Sequence, residues 1–231
     1  MKYRFLTLLL GLSFLLLGSC KDKKQNINTQ QKEIISEKNT TTKQEEIPEV
    51  LTTQSAIPFL FEYEKKNKER KVRITTSYGD IDIELFEQTP YHRANFIFLT
   101  KQKYFDGTVF HRVVPDFVVQ GGNSDGWDVQ RKRRKIGNYL LPPDTKKGFK
   151  HHRGIVSMPS SEIDNPHQFA SPYEFFIVAQ APGAYHLDGK YTAFGRVTAG
   201  MEVVDKINKV KTDERNWPIT DVKMIQVKIL E

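Results

Sequence analysis

The sequence predicts a mainly β domain, an antiparallel barrel or sandwich that carries two helices. Two observations lead to this fold class. From about residue 70 onward, short segments alternate apolar and polar residues, and a period of two is typical of half-buried strands. Only two segments show helical spacing, which disfavours a fold of alternating strands and helices.

The folded domain is predicted to span residues 70–231 and to begin with a β-hairpin. In VRITT (residues 72–76) and IDIEL (residues 81–85), apolar residues alternate with polar ones. Tyr78-Gly79-Asp80 provides the turn between these strands. A Thr-Pro pair then marks a helix start, and apolar residues at helical spacing follow it, so we expect a helix from about residue 90 to residue 102.

The rest of the domain is predicted to be mostly strand. Further strands are expected at about 109–114, 117–121, 154–158, 175–179 and 191–197. Val203, Val204 and Ile207 indicate a second short helix, and residues 225–229 a last strand. Residues 122–153 are predicted to be a long irregular excursion, and loops of that length in compact domains are often functional.

Residues 1–19 have the character of a signal peptide. Lys2 and Arg4 precede an apolar run that is shorter than the roughly 20 residues a membrane-spanning helix needs. The run ends in Leu-Gly-Ser-Cys, which resembles a bacterial lipobox, and this implies cleavage that leaves a lipid on Cys20. An uncleaved signal anchor is the competing interpretation. We expect a lipoprotein of the bacterial cell envelope, on the periplasmic side of a membrane or at the cell surface.

Two segments separate the signal peptide from the domain. Residues 20–56 are predicted to be the lipidated cysteine and a flexible tether, because a composition of Lys, Gln, Asn, Thr and Glu buries too little apolar surface to fold. Residues 57–69 are a transition segment whose aromatic residues are expected to pack on the domain, with a short helix as one option.

The net charge of +7 comes largely from basic runs at 131–135 and 146–153. Such runs can bind nucleic acid or acidic surfaces. Because export disfavours a nucleic-acid partner, we interpret them as solvated loops of a monomer. The single cysteine excludes an internal disulfide and a multi-cysteine metal site, and no metal motif includes the adjacent His151 and His152. We therefore expect no metal.

The stretch FHRVVPDFVVQGG, residues 110–122, resembles the FHR, P, F and QGG signature of the cyclophilin peptidyl-prolyl isomerases. Further segments resemble the same family in the same order: TSYGDIDIELF with TPYHRANFIFL, then EFFIV, then LDGKYTAFGRVTAGMEVVDKI. The resemblance covers residues 70–231 and implies a closed eight-stranded antiparallel barrel capped by two helices. It also implies a cofactor-free enzyme that accelerates rotation of X-Pro bonds in proline-containing polypeptides, here exported proteins whose folding it assists.

The resemblance implies one catalytic residue, Arg112, and a proline pocket of Phe117, Phe176 and Leu187. The other positions expected to bind substrate are His111, Val118, Gln120, Ser160, Glu174, His186 and Tyr191. Glu174 replaces a glutamine that is common in the family. It could pair with Arg112 and weaken it as a donor, or it could select basic neighbours on the substrate.

The chemistry of imide rotation explains why an arginine is expected here. Rotation breaks amide resonance and faces a barrier of about 18 to 20 kcal/mol. A donor that meets the prolyl nitrogen as it becomes pyramidal acts only in the transition state. Such a charge-assisted hydrogen bond contributes about 1.5 to 3 kcal/mol, and Arg112 is the candidate donor.

Departures from the family pattern motivate an alternative, a proline-peptide-binding or chaperone module with weak or no isomerase activity. They are Val118, Pro159, Glu174 and His186. A third interpretation, a structural envelope protein, depends only on the basic residues within 131–153.

Overall fold

The computed structural model describes residues 50–160 and 165–230. The predicted signal peptide, Cys20 and the tether up to residue 49 lie outside the described residues. Within the described ranges, no helix combines the length and the apolar character that crossing a membrane requires.

The described residues form ten strands and four α-helices. The strands are β1 (Leu51–Thr52), β2 (Lys71–Thr76), β3 (Gly79–Leu85), β4 (Arg112–Val114), β5 (Val118–Gly121), β6 (Gly137–Asn138), β7 (Ile155–Met158), β8 (Phe175–Val178), β9 (Thr192–Ala199) and β10 (Met224–Ile229). The helices are α1 (Thr53–Lys66), α2 (Pro90–Lys101), α3 (Trp127–Ile136) and α4 (Met201–Asn208).

Eight of the strands form one antiparallel sheet in the order β10-β2-β3-β9-β7-β8-β5-β4. This confirms the mainly β class and the eight-stranded antiparallel sheet. The sheet curves into a half-barrel whose edge strands, β4 and β10, do not pair with each other directly. The segment before β4 joins the two edges, because the Met224 amide of β10 donates to the Thr108 carbonyl at 2.8 Å and the Phe110 amide donates to the Val222 carbonyl at 2.9 Å. β1 and β6 form a separate parallel pair.

The predicted hairpin and the two predicted helices are confirmed. β2 and β3 pair in a register that places Val72 opposite Ile83. α2 begins at Pro90, although the hydroxyl of Thr89 makes no capping hydrogen bond. α4 buries Val203, as its helical spacing predicts.

The predicted end of the tether at residue 56 is wrong, because the chain is already folded from Leu51. Leu51 is fully buried and pairs with Gly137 of β6. α1 follows directly and has a capping box at Thr52. Its buried residues lie at helical spacing, Ala56, Leu60 and Tyr63. The transition segment 57–69 is therefore mostly helix. The sequence did not indicate the full length of this helix, because Pro58 lies within it and proline is unfavourable in a helix interior.

The expectation that residues 122–153 are irregular is also wrong, because α3 occupies part of this segment. Its ten residues, WDVQRKRRKI, bury only Val129 and Ile136, so their apolar pattern is too sparse to indicate a helix. Arginine and lysine nevertheless favour helix, and Arg133, Arg134 and Lys135 lie in the last turn, where the helix dipole is negative.

The sheet buries apolar side chains on both of its faces. A large core cluster includes Phe110, Val119 and Phe175. A smaller cluster on the other face includes Val118 and Phe176. All residues of β8 are buried, because alternate side chains enter alternate clusters.

β10 departs from simple alternation. Met224 and Val227 are buried, whereas the two residues between them are both exposed, Ile225 to 60%. A register shift between Met224 and Gln226 interrupts the alternation, and a bulge of this kind exchanges the faces on which neighbouring side chains lie.

His92 of α2 is buried, and neither of its ring nitrogens has a hydrogen-bond partner within the described ranges. Burial lowers the pKa of His92 to about 4. In the unfolded chain a histidine binds its proton near pH 6.5, so between about pH 6.5 and pH 4 the unfolded state holds more protons than the folded state. Stability therefore falls as the pH falls through this window.

We predict that His92→Leu removes this acid sensitivity. As the pH falls, the free energy of unfolding should decrease for the wild-type domain more steeply than for the variant. The two slopes should differ by up to about 1.4 kcal/mol per pH unit. Urea unfolding between about pH 7 and about pH 5 measures both slopes, and a constant offset from repacking does not affect the comparison. The exposed His167, changed to Gln, is the control. Equal slopes for wild type and His92→Leu would contradict the prediction.

Candidate functional site

A cavity of about 130 Å³ opens on the face of the sheet that carries the smaller apolar cluster. Its lining residues come from β4, β5, β8 and nearby loops: Arg112, Phe117, Val118, Gln120, Pro159, Phe176, Leu187 and Tyr191. Most of this lining is apolar or aromatic, and Arg112 supplies the charge. The cavity therefore suits a small apolar ring beside a hydrogen-bonding group.

Strand pairing places the polar and aromatic side chains in one row. Arg112 pairs with Gln120 across β4 and β5, and Gln120 pairs with Phe176 across β5 and β8. Paired residues of neighbouring strands share one face of a sheet. Val113 and Val119, one position away, enter the opposite core and are fully buried.

Aromatic contacts hold the apolar wall in place. Phe176 is 5% exposed and meets the ring of Tyr191 edge-on, with centroids 5.6 Å apart. Phe117 stacks on His186 at 5.3 Å. Leu187 packs in the same cluster as Phe176. His186 therefore supports the cavity through Phe117 and does not line it.

The guanidinium of Arg112 makes no hydrogen bond or salt bridge with any residue in the described ranges. The option that Glu174 pairs with Arg112 is wrong, because the Glu174 carboxylate is held elsewhere. Its Oε2 accepts from Gln120 at 3.0 Å, its Oε1 accepts from Asn123 at 3.2 Å, and His111 Nε2 lies 3.5 Å from Oε2. The donors of Arg112 are thus available to a ligand in the cavity.

The charge of Glu174 fixes the orientation of the Gln120 amide. Burial would raise the pKa of Glu174, but the neighbouring His111 ring and Gln120 amide outweigh it and lower the pKa. A carboxylate only accepts hydrogen bonds, so Gln120 must present its NH₂ group to Glu174. The amide oxygen of Gln120 is consequently left to accept a hydrogen bond from Arg112 or from a ligand.

An Asp-His-Ser chain, in which the histidine and the serine are buried, adjoins Phe176. His151 Nδ1 lies 2.9 Å from Asp188 Oδ1, and His151 Nε2 lies 3.0 Å from Ser157 Oγ. Burial lowers the pKa of His151, so the ring is neutral, donates to Asp188 and accepts from Ser157. Ser157 is fully buried and cannot attack a polypeptide. The chain instead fixes the surroundings of Phe176, whose ring stacks on His151 at 6.2 Å.

Two of the remaining predicted residues lie outside the cavity lining. His111 is 7% exposed and packs against Trp217 with centroids 5.7 Å apart. Ser160 forms a β-bridge with Ala170 and does not line the cavity, whereas the neighbouring Pro159 does. The sequence did not indicate Asn123 or Trp217 as neighbours of the site, although Asn123 directly follows the QGG motif.

The chemistry that this geometry offers is apolar binding beside a cationic hydrogen-bond donor. The ring of a ligand would contact Phe176 and Leu187, while Arg112 would donate to a polar atom at its edge. Among the described residues, no group of three or more His, Cys, Asp or Glu side chains could hold a metal ion.

Comparison with protein families gives one match over most of the chain. A model of the family "Cyclophilin type peptidyl-prolyl cis-trans isomerase/CLD" matches residues 71–229. Peptidyl-prolyl cis-trans isomerase CYP18-2 of Arabidopsis thaliana is 35% identical over 163 residues, which cover 70% of this chain and 94% of that protein. Peptidyl-prolyl cis-trans isomerase ppi1 of Schizosaccharomyces pombe is 38% identical over 157 residues, with coverages of 67% and 96%. A longer relative, peptidyl-prolyl cis-trans isomerase-like 2 of Rhizopus delemar, is 36% identical over 172 residues, 73% of this chain and 30% of that protein.

Solved structures give the same result. A cyclophilin type peptidyl-prolyl cis-trans isomerase of Cryptosporidium parvum aligns with a TM-score of 0.59 and 28% identity, over 71% of this chain and 98% of that one. A second structure of that protein, in the presence of the dipeptide Ala-Pro, aligns with a TM-score of 0.58 and 28% identity, over 70% and 99%.

We predict that Glu174→Gln releases the side chain of Gln120. A glutamine can donate as well as accept, so the fixed polarity of the amide pair is lost. The side-chain NH₂ signals of Gln120 in ¹⁵N–¹H spectra should shift and exchange with water about tenfold faster, as expected when a hydrogen bond to a charged group worth about 1.5 kcal/mol is weakened. The exposed Glu202, changed to Gln, is the control. Unchanged Gln120 signals in Glu174→Gln would show that the carboxylate does not orient this amide.

Proposed function

The chain belongs to the cyclophilin-type peptidyl-prolyl cis-trans isomerase family, and we propose that it accelerates the rotation of X-Pro bonds in polypeptides with Arg112 as the catalytic residue. The observation that carries this proposal is the unpaired guanidinium of Arg112 beside a small apolar cavity. No covalent step and no cofactor are needed, because the reaction only rotates a bond.

The two parts of the site have different tasks. The apolar wall of Phe117, Phe176 and Leu187 binds the proline ring equally in the ground and transition states, so it contributes mainly to affinity. As the bond twists, the prolyl nitrogen loses amide resonance and gains a lone pair, which can accept a hydrogen bond from Arg112. This bond exists only in the transition state, and in a preorganised site it is worth about 3 kcal/mol.

Gln120 prepares the arginine for this task. Because its NH₂ group is engaged by Glu174, its amide oxygen can accept from the guanidinium of Arg112 or from a backbone N–H of the substrate. Either contact reduces the freedom of the reacting groups, which lowers the entropic cost of reaching the twisted geometry.

We predict that Arg112→Ala lowers kcat/KM for an X-Pro peptide about 100-fold, mostly through kcat. Arg112→Lys should restore only part of this loss, because an ammonium keeps the charge but not the planar donor fork. A protease-coupled assay or NMR exchange spectroscopy measures the rate. The exposed Arg196, which pairs with Glu84, is the matched control as Arg196→Ala.

Two outcomes would contradict the proposal in different ways. Equal rates for wild type and Arg112→Ala would remove Arg112 from the mechanism. Binding of proline peptides by the wild-type domain, without exchange between bound cis and trans forms, would favour the alternative of a binding or chaperone module without isomerase activity.

We also propose that the protein is a lipoprotein of the bacterial cell envelope that assists the folding of exported proteins. The support is the N-terminal sequence, in which Lys2 and Arg4 precede an apolar run that ends in Leu-Gly-Ser-Cys20. The relatives described above are eukaryotic, so this part of the proposal depends on that sequence alone.

We predict that Cys20→Ser prevents lipidation. The full chain, expressed in a bacterium with lipoprotein processing and labelled palmitate, should carry label and sediment with membranes, whereas Cys20→Ser should carry none. Ser13→Ala, a change within the apolar run, is the control and should be labelled like wild type. Equal labelling of Cys20→Ser and wild type would refute the proposed lipid attachment.

A further inference from the structure

A second depression, larger than the catalytic cavity, lies between the start of α3 and the segment that precedes β10. Its volume is about 760 Å³. It exposes two tryptophans, Trp127 with 82% of its surface accessible and Trp217 with 37%. We call this depression the tryptophan surface, defined by Val109, Ser124, Trp127, Trp217 and Lys223.

The same two chain segments lead from the catalytic cavity to the tryptophan surface. Arg112 and Gln120 line the cavity, and Val109 and Ser124 line the tryptophan surface. The segments stay together between these points, because Val109 forms a bridge with Asn123. Three residues of extended chain span about 10 Å, so one extended polypeptide can reach both sites.

A side-chain contact also connects the two sites. The ring of Trp217 packs against His111 at 5.7 Å, and His111 Nε2 lies 3.5 Å from the Glu174 carboxylate that holds Gln120. β4 is an edge strand, so no further strand of the sheet lies beyond Arg112. These contacts link the tryptophan surface to the proposed substrate groove, although the two depressions share no lining residue.

The charges of the tryptophan surface favour a polypeptide as its ligand. Its lining has four acidic and four basic side chains, Asp106, Asp125, Asp128, Asp221, Arg131, Lys132, Lys135 and Lys223. With no net charge, it provides little attraction to a polyanion such as nucleic acid or to an anionic membrane. Arg131 and Asp128 pair with each other, whereas Asp221 and Lys223 have no side-chain partner in the described ranges. Exposed indole faces beside free charges of both signs match the mixed chemistry of a polypeptide.

We propose that the tryptophan surface binds a flanking segment of the same polypeptide whose X-Pro bond lies in the catalytic cavity. This inference depends on the proposed isomerase function. A second contact on one chain raises the effective concentration of the X-Pro bond at the cavity. Because the tryptophans do not touch that bond, the contact lowers KM and leaves kcat unchanged.

The test compares a short peptide with two long peptides that have the same X-Pro core. The short peptide has about four residues, and the long peptides extend it by about eight mixed apolar and charged residues, on one side or the other, to cover the distance between the sites. For wild type, one long peptide should have a KM about tenfold lower than the short peptide. Trp127→Ala should abolish this difference while kcat for both peptides and KM for the short peptide stay unchanged. The side chain of Trp127 is mostly exposed, so its removal does not open the core.

Tyr78→Ala is the matched control, because Tyr78 is another exposed aromatic residue and lies in the β2–β3 turn. It should leave the KM of the long peptide unchanged. Equal KM values for long and short peptides in wild type would overturn the inference. An equal rise in the KM of both peptides in Trp127→Ala would also overturn it. Tryptophan fluorescence that responds to duplex DNA or anionic vesicles and not to the long peptide would also overturn it. A short peptide that wild type does not isomerise would instead refute the proposed function.

Discussion

The common register of β4, β5 and β8 is the constraint on which the site depends. Side chains alternate along a strand, so the pairing that buries Val119 and Phe175 in the core also places Arg112, Gln120 and Phe176 together on the other face. A slip of one residue would bury the guanidinium and expose the core residues. The stability of the sheet and the geometry of the site are thus secured by the same hydrogen bonds.

A buried negative charge complements this arrangement. An ionised carboxylate that loses water must be compensated by nearby donors, and Gln120, Asn123 and His111 surround the carboxylate of Glu174. Because these three groups satisfy it, the anion does not draw Arg112 out of the cavity. The groove therefore has an unpaired guanidinium at its surface and a hydrogen-bonded carboxylate behind it, and the amide of Gln120 lies between them.

Local patterns predicted much of this structure. Alternation and the FHR and QGG motifs were enough to indicate Arg112 and Gln120 on neighbouring strands, and the structure pairs these two residues directly. Features that depend on a few buried side chains, on very short strands or on contacts between distant positions were not predictable from the sequence. α3 buries only two side chains, β1 has two residues, and the bond between Gln120 and Glu174 joins positions 54 residues apart. The sequence left open which group the Glu174 carboxylate pairs with, because this contact also joins distant positions.

The way in which β1 and α1 are attached to the domain has a mechanical consequence. Leu51 is held by the two-residue pairing of β1 with β6, and α1 is held by packing of Phe59 on Phe98 and by the ion pair of Glu64 with Arg93. None of these contacts belongs to the eight-stranded sheet. Pulling on the N-terminal chain would therefore act first on β1 and α1, which can detach without breaking any hydrogen bond between the strands that carry the groove.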